Sequence, residues 1–123
     1  MKAEEAVRLK QFLYKLADDL TVRKGLGYGS ERDTFTNLKF AESVGVMAAE
    51  LGTWVRLCDK VVRLGNLLKR GEKEVGFEGI LDTVVDTINY AAYIYLLLIE
   101  KDRRYLDRLA DKIKEIRERE KAK

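Results

Sequence analysis

Apolar residues recur at steps of three and four in four stretches of the chain, with glycine-rich or charged segments between them. Ala6, Leu9, Leu13, Leu16 and Leu20 mark the first stretch, and this stripe predicts an amphipathic helix over residues 4–23. The alternating Gly25, Gly27 and Gly29 then predict a loop through about residue 40. A helical pattern resumes from Phe40 to Leu68, strongest from Thr53 onward, with weak points at Gly45 and Gly52. The segment KRGEKEVGFEG, with Gly71, Gly76 and Gly79 among charges, reads as a connection. From Ile80 to Ile99 the chain is strongly apolar, which predicts a central helix. After a break at Lys101 or Asp102, the stretch from Arg103 to about Arg119 puts Leu106, Leu109, Ile113 and Ile116 on one side of a charged helix that frays at REREKAK. No segment alternates with period two over six residues, and no internal repeat stands out. The expectation is an all-α bundle of about four main helices in a single domain, 1–123, with a charged C-terminal helix over 101–123.

Composition narrows the function classes. A chain of 123 residues builds one core, and 46% hydrophobic with 37% charged residues argues for a soluble globular fold over disorder. The 24 basic against 21 acidic residues leave a net charge of +3, too balanced to make nucleic acid a direct partner. The longest apolar run, Tyr90 to Ile99, falls short of the roughly 17 to 25 residues a membrane helix needs. The charged start MKAEEAVRLK has no signal-peptide character, so a cytoplasmic protein away from membranes is expected. Histidine is absent, which removes imidazole bases, Ser-His-Asp and Cys-His arrangements and His-containing zinc sites. Cys58 is the only cysteine and reads as a small buried helix residue; one chain can form no disulfide. Proline is absent too, so helices can run uninterrupted. Gln11 is the only glutamine and asparagine occurs only at 37, 66 and 89, the amide-poor, charge-rich balance of thermophile proteins.

Candidate chemistry lies in the third apolar stretch. Glu78, Asp82, Asp86, Asn89 and Tyr93 recur every three or four residues and so form one stripe on an otherwise apolar helix. Like charges one turn apart repel, the more so when neighbours exclude water, so something positive must face Asp82 and Asp86. In GTWVRLCDKVVRLGNLL, the residues Arg56, Asp59, Arg63 and Asn66 form a second stripe, and its simplest partner is the first. Two readings stay open. In one, Arg56 and Arg63 pair with Asp82 and Asp86 as a buried ion network that sets helix register. Alternatively, Asp59 joins the acids and the cluster gathers a divalent hard cation, with the basic residues left for phosphate oxygens. Glu50 lies nine residues before Asp59 and, on a continuous helix, points to the opposite side; only a break at Gly52 would bring it in. The GLGYG stretch lacks the strand and the Lys-Ser/Thr of phosphate-binding fingerprints and reads as a connector, or as a segment that closes over a nucleotide. Trp54 and Tyr90 read as core or as base-stacking residues, and Tyr93 and Tyr95 as packing.

The run LGTWVRLCDKVVRLGNLLKRG, followed by FEGILDTVVDTINYAAYIYLLL, resembles the nucleotide modification associated domain 1 family, a phage-rich relative of the all-α nucleoside triphosphate pyrophosphohydrolases of the MazG and dimeric dUTPase type. The resemblance covers about residues 20–100 and rests on Tyr28-Gly29, on R-x-x-D-K-x-x-R-x-x-N-L from Arg56 to Leu67, and on D-T-x-x-D-x-x-N-Y from Asp82 to Tyr90. It implies an oligomeric helical bundle, a homodimer or homotetramer, that binds Mg²⁺, with Mn²⁺ as a possible substitute, and cleaves an NTP or dNTP to the monophosphate and pyrophosphate. It implies Asp59, Glu78, Asp82 and Asp86 as metal ligands, with Asp59, Asp82 and Asp86 at the chemistry. Arg56, Lys60 and Arg63 would then face phosphate, and Asn89 and Tyr90 would serve as nucleotide-binding residues. This chain departs from the wider superfamily in two ways. Arg56 stands where the partner acid of Asp59 is usual, and Asp82 and Asp86 are four apart rather than three. A nucleotide-binding module without turnover, or a helical protein-interaction module, is the competing expectation.

Overall fold

The computed structural model describes residues 1–28 and 35–123, and all of their side chains except those of 24–28 and 72–78. Five helices follow one another: α1 (Ala3–Tyr28), α2 (Phe40–Ser43), α3 (Ala49–Arg70), α4 (Glu72–Lys101) and α5 (Arg104–Ala122). No strand occurs among the described residues, so the chain is an all-α bundle. None of the described helices is long and apolar enough to cross a membrane.

The bundle is organised by α3 and α4, which reverse direction at a single residue. Gly71 has φ +78° and ψ 168°, and its N–H donates to the Leu67 carbonyl at 2.9 Å to close α3. A side chain at that φ and ψ would meet its own backbone, so glycine is the residue this junction requires. The two helices then run antiparallel along their lengths: Lys60 meets Asp86 midway, and Glu50 meets Lys101 at the far end. Ala49, Thr53 and Leu67 of α3 and Thr83, Val85 and Leu97 of α4 are all buried. The buried hydroxyls are satisfied within their own helices: Thr53 Oγ1 donates to the Ala49 carbonyl at 2.8 Å and Thr83 Oγ1 to the Gly79 carbonyl at 2.7 Å. Helix α4 is central, as its composition predicts, because α1 and α5 pack on it too.

Four boundaries differ from the periodicity, each for a local reason. Helix α1 continues across Gly25 and Gly27 to Tyr28 instead of stopping in a loop. Propagation adds a hydrogen bond per residue without a new nucleation step, which offsets much of the roughly 1 kcal/mol that glycine costs. Residues 29–34 of the expected loop lie outside the described residues. The expected helix from Phe40 to Leu68 breaks at Gly45, while Gly52 sits inside regular α3. Gly45 has φ +77°, its N–H bonds the Glu42 carbonyl at 3.0 Å and Val46 N–H bonds the Ala41 carbonyl at 2.8 Å, the paired bonds of a Schellman cap. The expected connection over KRGEKEVGFEG shrinks to Gly71 alone, since α4 starts at Glu72 and absorbs Gly76 and Gly79 into one 30-residue helix. Finally, α5 stays helical to Ala122 where fraying was expected, with Glu115 accepting a hydrogen bond from Lys112 at 3.3 Å and forming an ion pair with Arg119 at 3.8 Å on its exposed side.

The break before α5 falls at Asp102, as expected, where the backbone is extended. Its carboxylate accepts the Arg104 N–H at 3.0 Å and the Arg104 guanidinium at 2.7 Å, and that side-chain bond holds the Asp102 pKa below its ordinary value. Tyr95 O–H donates to the Tyr105 carbonyl at 2.7 Å and stacks edge-on against the Tyr105 ring, which seats the start of α5 on α4.

Two outcomes follow from these junctions. Gly71→Ala should lower unfolding stability by about 1 to 3 kcal/mol in urea titrations followed by circular dichroism, because alanine cannot take this backbone conformation without strain. At the other end of the hairpin, Lys101 bonds both Glu42 and Glu50 and lies 2.7 Å from Glu50 Oε2. Chiefly through that bond, Lys101 holds the Glu50 carboxyl below its ordinary value of 4.5. The folded state therefore favours the carboxylate, and this contribution is present above pH 4.5 and disappears as pH falls through the lowered folded value. The melting temperature should drop on acidification below pH 4.5 more steeply in the native chain than in Glu50→Gln, by under about 1 kcal/mol because both groups are partly exposed.

Candidate functional site

The acidic stripe of α4 meets α1 and α3 where the three helices converge. There a cleft of about 310 Å³ is lined by Leu20 of α1, Lys60 and Arg63 of α3, and Asp82, Thr83 and Asp86 of α4. Lys60 Nζ lies 3.2 Å from Asp86 Oδ2, and both side chains are partly sheltered from water. A partly exposed pair of this kind contributes about 1 kcal/mol or less, so it orients Asp86 without locking it to Lys60. Among the described residues, Asp82 and Arg63 enter no ion pair and line the cleft with their charges open to a ligand.

The lower half of the stripe has another task. Asn89 is buried; its Nδ2 donates to the Ala17 carbonyl at 3.1 Å, and Thr21 Oγ1 donates to its Oδ1 at 3.3 Å. Thr21 Oγ1 also shares a 2.7 Å hydrogen bond with the Tyr93 hydroxyl. Ala17 is itself buried, and its small side chain lets the α1 backbone come close enough for the Asn89 amide to reach it. Asn89, expected at the nucleotide, is therefore the polar clamp between α1 and α4, since a buried amide must find its partners locally. Tyr90 is half-buried and stacks edge-on against Tyr93 at 6.0 Å, and Tyr93 does the same with Phe35 at 5.4 Å. Tyr93 and Tyr95 are packing residues, as expected.

Helix α3 is rotated differently from the expected stripe of Arg56, Asp59, Arg63 and Asn66. Of these only Arg63 lines the cleft, joined by Lys60, while Arg56, Asp59 and Asn66 are exposed on the helix rim. The reason is that Thr53 and Leu67 seat against α4 and set the rotation, whereas the charged stripe alone carries no information about which apolar side is buried. Asp59 thus does not join Asp82 and Asp86, and among the described residues no three acidic or cysteine side chains come together to hold a metal ion. Glu78 stands one turn before Asp82 on α4, and its side chain lies outside the described residues. Glu50 is far from this cleft and engaged by Lys101, the separation that the helical rotation predicts. Trp54 is 52% exposed and is not a core residue, and Cys58 is half-buried rather than buried.

Leu20 and Thr83 line the cleft without having been singled out in the sequence. Leu20 belongs to the apolar stripe of α1, and nothing local tells where that stripe meets α4. Thr83 directs its hydroxyl into its own helix and offers only its methyl side. The donor set is nonetheless adequate for a small hard cation, because Mg²⁺ commonly binds through one or two carboxylates and completes its shell with water and phosphate oxygens. Asp82 and Asp86 provide two carboxylates in the cleft, and Lys60 and Arg63 place positive charge on the facing wall. No protein family, curated protein or solved structure matches this chain.

The clamp and the cleft are separable by mutation. Asn89→Leu should lower the unfolding free energy by about 1 to 3 kcal/mol, since it removes the inter-helix bonds from Asn89 Nδ2 to the Ala17 carbonyl and from Thr21 Oγ1 to Asn89 Oδ1, leaving Thr21 its bond to the Ala17 carbonyl within α1 and its bond with Tyr93. Thermal melting followed by circular dichroism checks this.

Proposed function

We propose that this cleft is the site of a Mg²⁺-dependent nucleoside triphosphate pyrophosphohydrolase, which cleaves an NTP or dNTP to the monophosphate and pyrophosphate. The observation that carries the reading is the confrontation of Lys60 and Arg63 with Asp82 and Asp86 across one cleft. A cleft of about 310 Å³ is at the lower end of small-molecule sites and suits a polyphosphate chain better than a whole nucleotide. The base would extend past the rim, where half-buried Tyr90 and exposed Arg56 lie on neighbouring helices.

The roles follow from charge and position. Asp82 and Asp86 would hold the cation, with Glu78 as the further ligand that the family resemblance implies. A bound Mg²⁺ supplies neutralisation of phosphate charge and a lowered pKa for water. Arg63 grips phosphate oxygens with its planar guanidinium, a geometry suited to two parallel hydrogen bonds. Lys60 exchanges part of its attraction to Asp86 for the incoming phosphate. In a chain without histidine, the carboxylates are the groups placed to accept a proton as water attacks the α-phosphorus and the bond to the β-phosphate oxygen breaks. A second reading, a nucleotide-binding module without turnover, is favoured by one observation: among the described residues only two acids line the cleft.

The test is a panel of NTPs and dNTPs with Mg²⁺, repeated with Mn²⁺, in which pyrophosphate and orthophosphate are measured separately. Pyrophosphate should appear, and Asp86→Ala should reduce it by several orders of magnitude while the helical signal is retained. Arg63→Ala should be milder, raising KM with a loss in kcat/KM of roughly 10- to 100-fold, the equivalent of one charged hydrogen bond. Nucleotide binding without pyrophosphate release would establish the module instead, and full activity in Asp86→Ala would remove this cleft from the reaction.

A further inference from the structure

Helix α3 is apolar on two sides. One side, with Ala49, Thr53 and Leu67, is buried on α4. The other is formed by Leu51, Trp54, Cys58, Val61, Gly65 and Leu68, at alternating steps of three and four, with Val55 and Val62 beside it. These are the spacings of a two-helix seam. Among the described residues nothing covers it: Trp54 is 52% exposed, Val61 53%, Val62 63% and Leu68 61%.

The surface area points the same way. A compact monomer of 14.2 kDa exposes about 6,800 Å². This chain exposes 9608 Å². The excess of about 2,800 Å² is several times the roughly 800 Å² that each partner contributes to a standard interface.

We propose that a second copy of this chain covers this face, with α3 packed antiparallel on its twin about a two-fold axis between Cys58 and Val61. That arrangement sets Leu51 opposite Leu68 of the second copy, Cys58 opposite its Val61, and Trp54 opposite its Gly65. The largest side chain of the seam thereby meets the position with no side chain, where nothing stands within 4 Å of the place a Cβ would take. Val55 and Val62 flank the same seam and widen the apolar contact. Parallel pairing would set Trp54 on Trp54 and Gly65 on Gly65, with a clash at one layer and a void at the other. The α5 stripe is a poorer self-partner, because Lys112, Arg117 and Arg119 flank Leu109, Ile113 and Ile116 and would repel across a twin seam. The interface leaves the cleft open, since Lys60 and Arg63 lie on the α4 side of α3.

Gly65 makes the test sharp. In an isolated chain, Gly65→Leu fills open space on an exposed helix and improves helix propensity, so the helical signal should be kept or strengthened. In the pair it collides with Trp54 of the other copy. Sedimentation velocity at micromolar concentration should give two chain masses for the native protein and one for Gly65→Leu and for Trp54→Glu. Val61→Cys in the presence of native Cys58 should yield a covalent dimer on mild oxidation. A native protein of one chain mass, a Gly65→Leu variant that keeps the native mass, or the lack of any covalent dimer in Val61→Cys would each overturn the proposal.

Discussion

The antiparallel packing of α3 on α4 is the constraint on which the rest of this structure depends. It begins at Gly71, whose positive φ lets two helices of 22 and 30 residues reverse over a single residue. Once they are joined so closely, the register between them is set, and every charged pair along the hairpin falls out of it. Lys60 meets Asp86 in the middle, and Lys101 meets Glu42 and Glu50 at the open end. Helices α1 and α5 are then attached to α4 by polar anchors, the Asn89–Ala17–Thr21 group and the Tyr95–Tyr105 contact.

The division of the α4 stripe into two halves explains how one helix can both build the fold and carry a site. Asn89 and Tyr93 bond to α1 and contribute rigidity, because a buried amide and a half-buried phenol at a helix crossing find partners in the protein. One and two turns earlier, Asp86 and Asp82 reach the place where α1, α3 and α4 meet, and there the same periodicity lines an open cleft. The clamp holds the wall of the cleft, so the positions of the two carboxylates follow from a contact in which they take no part. The proposed nucleotide chemistry uses this arrangement: acids fixed on a rigid helix face cations on the helix packed against it, at a site where water and a ligand can enter.

Helix α3 supplies the facing wall and also has an uncovered apolar side, and these two roles are compatible because they lie on different sides of one cylinder. A helix that is apolar on two sides is built to be sandwiched. Its inner side is taken by α4, and the outer side, with Trp54 and Gly65 at complementary positions along it, is what a twin helix would fill. The buried apolar side chains among the described residues are few: Ala17, Ala49, Leu67, Val85 and Leu97.

Much of this was legible in the sequence. The apolar periodicity, the absence of proline and the length of the Ile80–Ile99 stretch determined an all-α bundle around a central helix, because helical spacing is a local property that each segment carries by itself. The break at Asp102 and the alignment of Asp82, Asp86, Asn89 and Tyr93 on one face were equally local. Glycine was not: Gly25, Gly27, Gly76 and Gly79 read as interruptions and were absorbed into α1 and α4, whereas Gly45 and Gly71 end helices with a positive φ. The difference lies in the competing gain from continuing a long helix, which residue identity does not reveal. Only the tertiary structure decided that Lys60 and Arg63, rather than Arg56 and Asp59, face the acids, and that Asn89 belongs to the fold rather than to the cleft. A charged stripe specifies which residues stand together on a helix, but the rotation of that helix is set by its buried side, and α3 has two apolar sides of which packing against α4 selects one.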